Sequence, residues 1–297
     1  MKPAQFEFAA PDTLTEAISL LQQHEEGDVK IIAGGQSLLP LLSMRMARPE
    51  FLVDLNRIAE LRYIRLEGDW LAIGAMTSKR DVERSELVRE RQPALLAATQ
   101  LVGHQQIRNR GTVGGSMAHA DPAAEYPALA LALGAELQAV GPAGERRIAA
   151  EDFFQSYLMT ALEPTEVLTE VRIPVLEPAT GWSFLEVARR HGDFALGGAA
   201  ATVRLDSKGD FSDVRLVLFG VSAASLRLRE VEQLLTGQPP SETLFREAGD
   251  RASQGIEDPL SDVHASAEYR RHLAGVLTIR ALEEATRRTG PGEETTA

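Results

Sequence analysis

The chain has 297 residues, enough for two domains or one large one, and its 44% apolar content is that of a globular protein with a substantial core. A formal charge of −12 argues against a general nucleic-acid surface, and the absence of cysteine removes disulfides, thiolate catalysis and any iron–sulfur cluster held by this chain. There is no uncharged apolar run long enough for a membrane span, no apolar signal-peptide core at the start and no metal-ligand spacing among the six histidines, so the chain reads as cytoplasmic and without a metal site of its own.

In chain order, DTLTEAISLLQQH (12–24) reads as a helix capped by Asp12 or Thr13, with Leu14, Ile18 and Leu21 on one face. A strand over Lys30–Ile32 runs into Gly34-Gly35, and Ser37 is placed to cap a helix whose first turn holds Pro40. With a strand over 51–55 this makes a small α/β layer. Residues 61–76 read as a hairpin turning at Glu67-Gly68-Asp69, followed by a helical region near 78–103. A second glycine-rich loop, Gly111-Thr112-Val113-Gly114-Gly115-Ser116, precedes Pro122–Leu133, whose Ala/Leu content is that of a buried helix. Two strands flank Gly141-Pro142-Ala143-Gly144 as another hairpin, and 166–174 alternates like a strand.

Residues 175–182 carry the proline, glycine and threonine of a linker. Beyond it, strand-like runs at 182–190, 195–205 and 213–221 precede helices near 226–236, 241–253 and 266–288. The last helix places Tyr269, Leu273, Val276 and Leu277 along one stripe. Strands first and helices after suggest a compact α+β unit. The tail from Thr289 to Ala297 is too polar to fold alone and is expected to be disordered.

Glycines at 34 and 35 permit positive φ and turn successive N–H groups toward one point, which suits a phosphate held without Lys or Arg. The competing reading is a tight β–α turn. Neither GxGxxG nor GxxxxGK[ST] occurs here, which disfavours a Rossmann site and a P-loop. The second loop repeats the chemistry, hydroxyls beside paired glycines, some eighty residues on. Two such loops fit the two phosphates of a dinucleotide better than a single phosphate. His119 and Asp121 suggest an acid–base pair, but Asp121 precedes Pro122 and reads as a helix N-cap, with His119 supporting the second loop. Arg108 and Arg110 either neutralise phosphate or form a surface pair.

Three stretches, AGGQSLLPLLSMR (33–45), IRNRGTVGGSMAHADPAAEYPALALALGA (107–135) and EYRRHLAGVLTIRAL (268–282), resemble the FAD-binding medium subunit of the carbon monoxide dehydrogenase and xanthine dehydrogenase family of molybdenum hydroxylases. The resemblance runs from about residue 3 to 285. It implies an α+β fold: a vanillyl-alcohol-oxidase (PCMH)-type FAD-binding domain over 1–176, in two α/β subdomains of about 1–57 and 58–176, and a C-terminal α+β domain over 177–288 with a three-stranded antiparallel sheet and helices. By the same resemblance Lys30, Ile31, Ile32, Ala33, Gly34, Gly35, Gln36, Ser37 and Leu38 would wrap the FAD pyrophosphate and ribityl chain from one side. Thr112, Gly114, Gly115 and Ser116 would do so from the other. Ser116 stands where many relatives carry Asn or Asp, and Glu125 where they usually carry Asp, a hydrogen-bond acceptor for the cofactor. Leu101 or Val102 matches an apolar position packing on adenine, and Leu168 one near the flavin ring. Leu185-Glu186 lies where several relatives place a Lys, so the flavin edge would lose a cation and its potential would be lower. Phe194 would shield the ring, and Tyr157 reads as a core aromatic rather than a flavin neighbour.

The resemblance also implies a role. FAD, bound non-covalently, would take electrons one at a time from iron–sulfur clusters and deliver them to a quinone or NAD, with no residue here needed as a general base. Clusters and molybdopterin would sit on partners, a small iron–sulfur subunit and a large molybdenum subunit, in a dimer of heterotrimers. The C-terminal domain is the expected partner surface. Two rivals stand beside this reading: a stand-alone FAD-dependent reductase or oxidase of the same fold, and a cofactor-free scaffold subunit.

Overall fold

The protein is described here by a computed structural model covering residues 2–290, so the tail expected to be disordered lies, from Pro291 onward, outside the described residues. The N-terminal layer comprises β1 (Glu7–Ala9), α1 (Leu14–Gln23), β2 (Val29–Ile32), α2 (Leu38–Ser43) and β3 (Phe51–Asp54). Its sheet has the order β1-β3-β2, with both pairings parallel. Thr13, not Asp12, caps α1, its hydroxyl accepting from the Glu16 N–H at 3.2 Å. Ala17 and Leu21 of α1 are buried against Val53, Leu55 and Ile58, while Leu14 and Ile18 are only partly covered. Ser37 occupies the N-cap position of α2 but makes no capping bond. Its backbone is already helical (φ −98°, ψ −44°), whereas a capping side chain needs an extended backbone to reach forward.

The middle unit opens with the expected hairpin, β4 (Ile64–Glu67) and β5 (Trp70–Gly74), turning at Gly68-Asp69. The helical region predicted as one piece is three helices, α3 (Lys79–Arg84), α4 (Glu86–Arg91) and α5 (Pro93–Leu101), because Ser78 and Ser85 each cap a new start and Pro93 opens another. Then follow α6 (Gln105–Arg110), α7 (Val113–His119) and α8 (Glu125–Leu133). Every residue of α8 is buried. It begins at Glu125 because Asp121 forms a local turn, accepting from the Ala123 N–H at 2.9 Å, instead of capping the helix.

Next come β6 (Glu136–Gly141), β7 (Gly144–Ala149), α9 (Ala150–Phe153), β8 (Phe154–Ser156), β9 (Met159–Thr160) and β10 (Val167–Pro174). The main sheet has the order β4-β5-β10-β6-β7 and is antiparallel. β10 was expected to alternate, yet all but its last residue are buried. It is the central strand and both of its faces are covered.

After the linker, β11 (Gly181–Ala188), β12 (Ala195–Leu205), β13 (Phe211–Phe219) and the two-residue β14 (Leu226–Arg227) form an antiparallel sheet of four strands rather than three. Three helices follow, α10 (Arg229–Leu235), α11 (Glu242–Gln254) and α12 (Ala267–Arg287). α12 buries Leu273, Ala274, Leu277, Ala281, Leu282 and Ala285, whereas Tyr269 is exposed and Val276 half-buried, so the apolar stripe is rotated from the one read in the sequence. The sheet is covered on both sides. Ala199, Ala201, Val203, Leu216 and Leu218 pack on the C-terminal helices, and Phe184, Ala200, Val217 and Phe219 pack into the core around α8. The architecture is α+β throughout, and no helix among the described residues is long and apolar enough to cross a membrane.

Candidate functional site

β2 ends at Ile32 and the chain turns through residues 33–37 into α2. Gly35 carries the turn with φ +74°, a value that favours glycine. Gln36 folds back on it, its Nε2 donating to the Gly34 carbonyl at 3.1 Å. Among the described residues, the backbone N–H groups of Gly34, Gly35, Gln36, Ser37 and Leu38 donate to no protein acceptor. Successive unclaimed donors on a tight turn make an anion-binding concavity that needs no cationic side chain.

The second segment differs from the expected loop. Gly114, Gly115 and Ser116 lie in the first turn of α7, with Thr112 as N-cap. Thr112 Oγ1 accepts from the Gly115 N–H at 3.1 Å, the Gly114 N–H donates to the Ala75 carbonyl at 2.8 Å, and the Ser116 N–H donates to the Thr112 carbonyl at 3.2 Å. These amides are spent inside the protein. The two glycine segments are therefore not equivalent: the first offers donors, the second a wall.

The segments meet directly. A Cβ on Gly34 would stand 2.1 Å from the Arg110 carbonyl oxygen and 2.9 Å from Gly111 Cα. One on Gly114 would stand 2.4 Å from Ala75 Cβ, and one on Gly115 would stand 2.7 Å from Thr112 Oγ1 and 3.4 Å from Ala33 Cβ. What comes too close for a side chain at Gly34 is thus the other segment. The Lys79 N–H donates to the Gly111 carbonyl at 2.8 Å and tethers this wall to α3.

Behind the wall sits a charged cluster whose lysine, Lys79, sequence reasoning missed. Lys79, the first residue of α3, is only 7% exposed. Its Nζ donates to Ser116 Oγ at 3.2 Å and lies 4.9 Å from the centre of the Tyr126 ring. Burial pushes its pKa down to about 8, with Glu125 opposing. Glu125, at the start of α8, is buried, and burial raises its carboxyl above the ordinary range while Lys79 pulls it back. Glu186, on β11, is raised to about 8 by burial and by Glu125. Its Oε2 is buried without a hydrogen-bond partner. His119, last in α7, is lowered by burial, with Asp121 opposing and Lys79 adding to the fall. A cation thus supports Ser116, contrary to the expectation of a site without Lys or Arg. The only sequence signal was the capped start Ser78-Lys79, which marks a helix but not burial.

The other candidates are scattered around this centre. Lys30 points its side chain outward, 4.0 Å from Asp28, and Ile31 and Ala33 pack partly on the N-terminal core. Val102 is buried at the end of α5, and its carbonyl accepts from Arg108 at 3.1 Å. Arg108 also pairs with Glu83 at 3.2 Å, so its role is structural, while Arg110 is exposed. Leu168 is buried in β10 beside a register shift. Tyr157 is 54% exposed on the β8–β9 hairpin instead of in the core, because that two-strand hairpin is too short to be covered. Phe194 is also exposed, on a loop whose Gly192 lies against the His104 ring.

Residues 4–176 match the family described as the FAD binding domain in molybdopterin dehydrogenase, and residues 182–285 match the CO dehydrogenase flavoprotein C-terminal domain. The chain belongs to this flavoprotein family. It is 41% identical over 294 residues, 99% of each chain, to the 6-hydroxypseudooxynicotine dehydrogenase complex subunit alpha of Paenarthrobacter nicotinovorans. It is 40% identical over 285 residues, 96% of this chain and 98% of the relative, to the carbon monoxide dehydrogenase medium chain of Hydrogenophaga pseudoflava. The solved carbon monoxide dehydrogenase from that organism, lacking the Mo-pyranopterin moiety, matches with a TM-score of 0.94 at 41% identity, covering 97% of this chain and 99% of that one. The flavoprotein is an oxidoreductase component of the medium, FAD-binding subunit type, and its cofactor is FAD. Its residues fit that cofactor, with a concavity of free amides suited to a diphosphate and a buried carboxylate oxygen still lacking a partner.

Proposed function

We propose that this flavoprotein relays electrons within a molybdenum hydroxylase complex, taking them from iron–sulfur clusters on a small partner chain and passing them through FAD to a quinone or NAD. A large molybdopterin subunit would oxidise the substrate. The relatives carry names of complex subunits and medium chains, which supports the division of labour. So does a sequence without cysteine, since clusters bound by thiolates must then lie on another chain. The dimer of heterotrimers, the cytoplasmic location, the C-terminal domain as partner surface and the domain limits 1–176 and 177–288 belong to the same reading.

The observation that carries the site is the run of unclaimed amides at Gly34–Leu38 facing the wall of α7. In this reading those amides hold the FAD diphosphate. Lys30, Ile31, Ile32 and Ala33 continue the cradle on one side, with Thr112, Gly114, Gly115 and Ser116 on the other. Val102 packs on the adenine, Leu168 lies near the ring and Glu125 accepts a cofactor hydroxyl. FAD supplies the exchange between one- and two-electron carriers when bound. The chain's residues supply position and electrostatics. Lys79 keeps Ser116 oriented and offsets the buried charge of Glu125.

Titrating apoprotein with FAD and following the quenching of flavin fluorescence tests the site. Gln36 is exposed, so Gln36→Asp disturbs the fold only by removing its hydrogen bond to the Gly34 carbonyl, and it sets a carboxylate beside the diphosphate. We expect FAD affinity to fall roughly tenfold or more, about the loss of one charge-assisted hydrogen bond, while the apoprotein loses at most about 1 kcal/mol of stability with the Gln36–Gly34 bond. Unchanged affinity removes the cradle from the diphosphate. A purified chain that alone turns over NADH as fast as the complex would shift the reading to a stand-alone reductase.

A further inference from the structure

β11 enters the site from the C-terminal sheet with its side chains alternating between two cores. Leu185 and Val187 pack on the C-terminal helices, whereas Trp182 and Phe184 pack into the core that contains α5 and α8. Glu186 shares the parity of Trp182 and Phe184 and so turns toward the core that holds α5 and α8, close enough to Glu125 at the start of α8 to feel its charge. In β12 it stands opposite Gly198, which has no side chain to bond it. The result is a carboxylate oxygen that is buried and has no partner.

The surroundings decide which form of Glu186 is tolerated. α5 packs against β11 and carries no titratable residue. α12 lies on the other face, where Glu284 accepts from Ser183 at 3.1 Å and Arg288 donates to the Trp182 carbonyl at 2.8 Å, both at the far end of the strand. In β12 the one charged residue, Arg204, is paired with Glu177. Toward α8 the groups are Glu125, Lys79, His119 and Asp121. Lys79 is committed to Ser116 and to Glu125, which leaves Glu125 as the charge that bears on Glu186. A half-buried carboxylate with one oxygen cut off from water and a second carboxylate near it is disfavoured on both counts, which favours the neutral carboxyl. A neutral carboxyl carries an O–H that needs an acceptor, and none is present among the described residues.

We propose that Glu186 holds the cofactor as a protonated carboxyl group, donating a hydrogen bond from its buried oxygen to an acceptor atom of FAD. The inference rests on the site described under the proposed function. Glu186 is then a positioning residue whose contribution depends on a proton, where a permanently charged side chain would give none of that dependence. Loss of that proton to solvent turns the donor into an anion near the Glu125 carboxyl, and the cofactor loses one bond.

The test is FAD affinity of the native apoprotein against pH, by fluorescence quenching. Wild-type affinity should be flat below pH about 8 and fall above it. The fall should approach about tenfold per pH unit. Glu186→Gln keeps a donor at that position that does not titrate. It should hold affinity within about threefold of wild type at neutral pH and stay flat at alkaline pH. If Glu186→Gln falls as steeply as wild type, the proton belongs to Lys79, which is also lowered to about 8, and the proposal is overturned. A wild-type profile that is flat throughout overturns it as well. Wild-type protein that binds no FAD at any pH removes the site reading itself, a distinct outcome. Should Glu186→Gln fail to fold, infrared difference spectra of wild-type protein at neutral pH decide: the protonated-carboxyl band must shift on adding FAD, and its absence rejects the idea.

Discussion

Gly34 and Lys79 illustrate opposite relations between a residue and what its sequence context says. Gly34 is visible in the sequence as half of a Gly-Gly pair, and its place between strand and helix is correct, but the reason for it is not local. Its missing side chain is taken up by the Arg110 carbonyl from the second segment. Gly34→Ala therefore pushes two backbones apart, and we expect a loss of about 1–3 kcal/mol in unfolding free energy together with weakened FAD binding, measured by denaturant unfolding and fluorescence titration. Full stability and affinity in that variant would mean the two segments do not interlock. Lys79 is the reverse case. Nothing in its neighbours marks it, since a lysine at a capped helix start is normally solvated. Its burial follows from the packing of α3 under the wall and against Tyr126.

At the scale of the element, α7 is the instructive one. Glycines at 114 and 115 read as loop because glycine disfavours helix by about 1 kcal/mol per residue. The helix forms anyway. Thr112 caps it, and the Gly114 amide is taken by Ala75, so tertiary contacts supply what propensity withholds. Thr112→Val keeps the shape, removes the cap and should cost about 1 kcal/mol, read as a lower melting temperature. It also leaves the Gly115 amide without its acceptor. An unchanged melting temperature would show that the cap bond is not formed. Elements whose signals are local fared better. The hairpins at Gly68-Asp69 and Pro142-Ala143 and the apolar helix α8 lie where turn chemistry and composition put them. β10 did not, because its alternation was overridden by coverage on both faces, with Thr169, Glu170 and Arg172 buried as well.

Across the whole molecule, the C-terminal sheet joins the two halves. Phe184, Ala200, Val217 and Phe219 give one of its faces to the core that contains α8, and α8 in turn carries Glu125 into the site. The small residues of β12 make this possible, because a Cβ on Gly198 would stand 2.0 Å from the Phe219 ring. Gly198→Val should displace that ring and cost about 1–3 kcal/mol. It should also weaken FAD binding without touching the cradle, since Glu186 lies opposite on β11. Denaturant unfolding and FAD titration on the same preparation check both effects. A variant that loses stability but keeps wild-type FAD affinity would show that the sheet only braces the fold.

The sequence by itself determined the chemistry on offer: no thiolate for a cluster, two glycine segments, an α+β order of elements and a family resemblance running through both parts of the chain. These follow from composition and from short-range periodicity, which act within a few residues. Only the tertiary structure decided that the segments interlock, that just one of them leaves its amides free, and that Lys79, Glu125 and Glu186 gather behind them. Burial and the pairing of charges depend on which distant surfaces meet, and no local pattern along a chain records that.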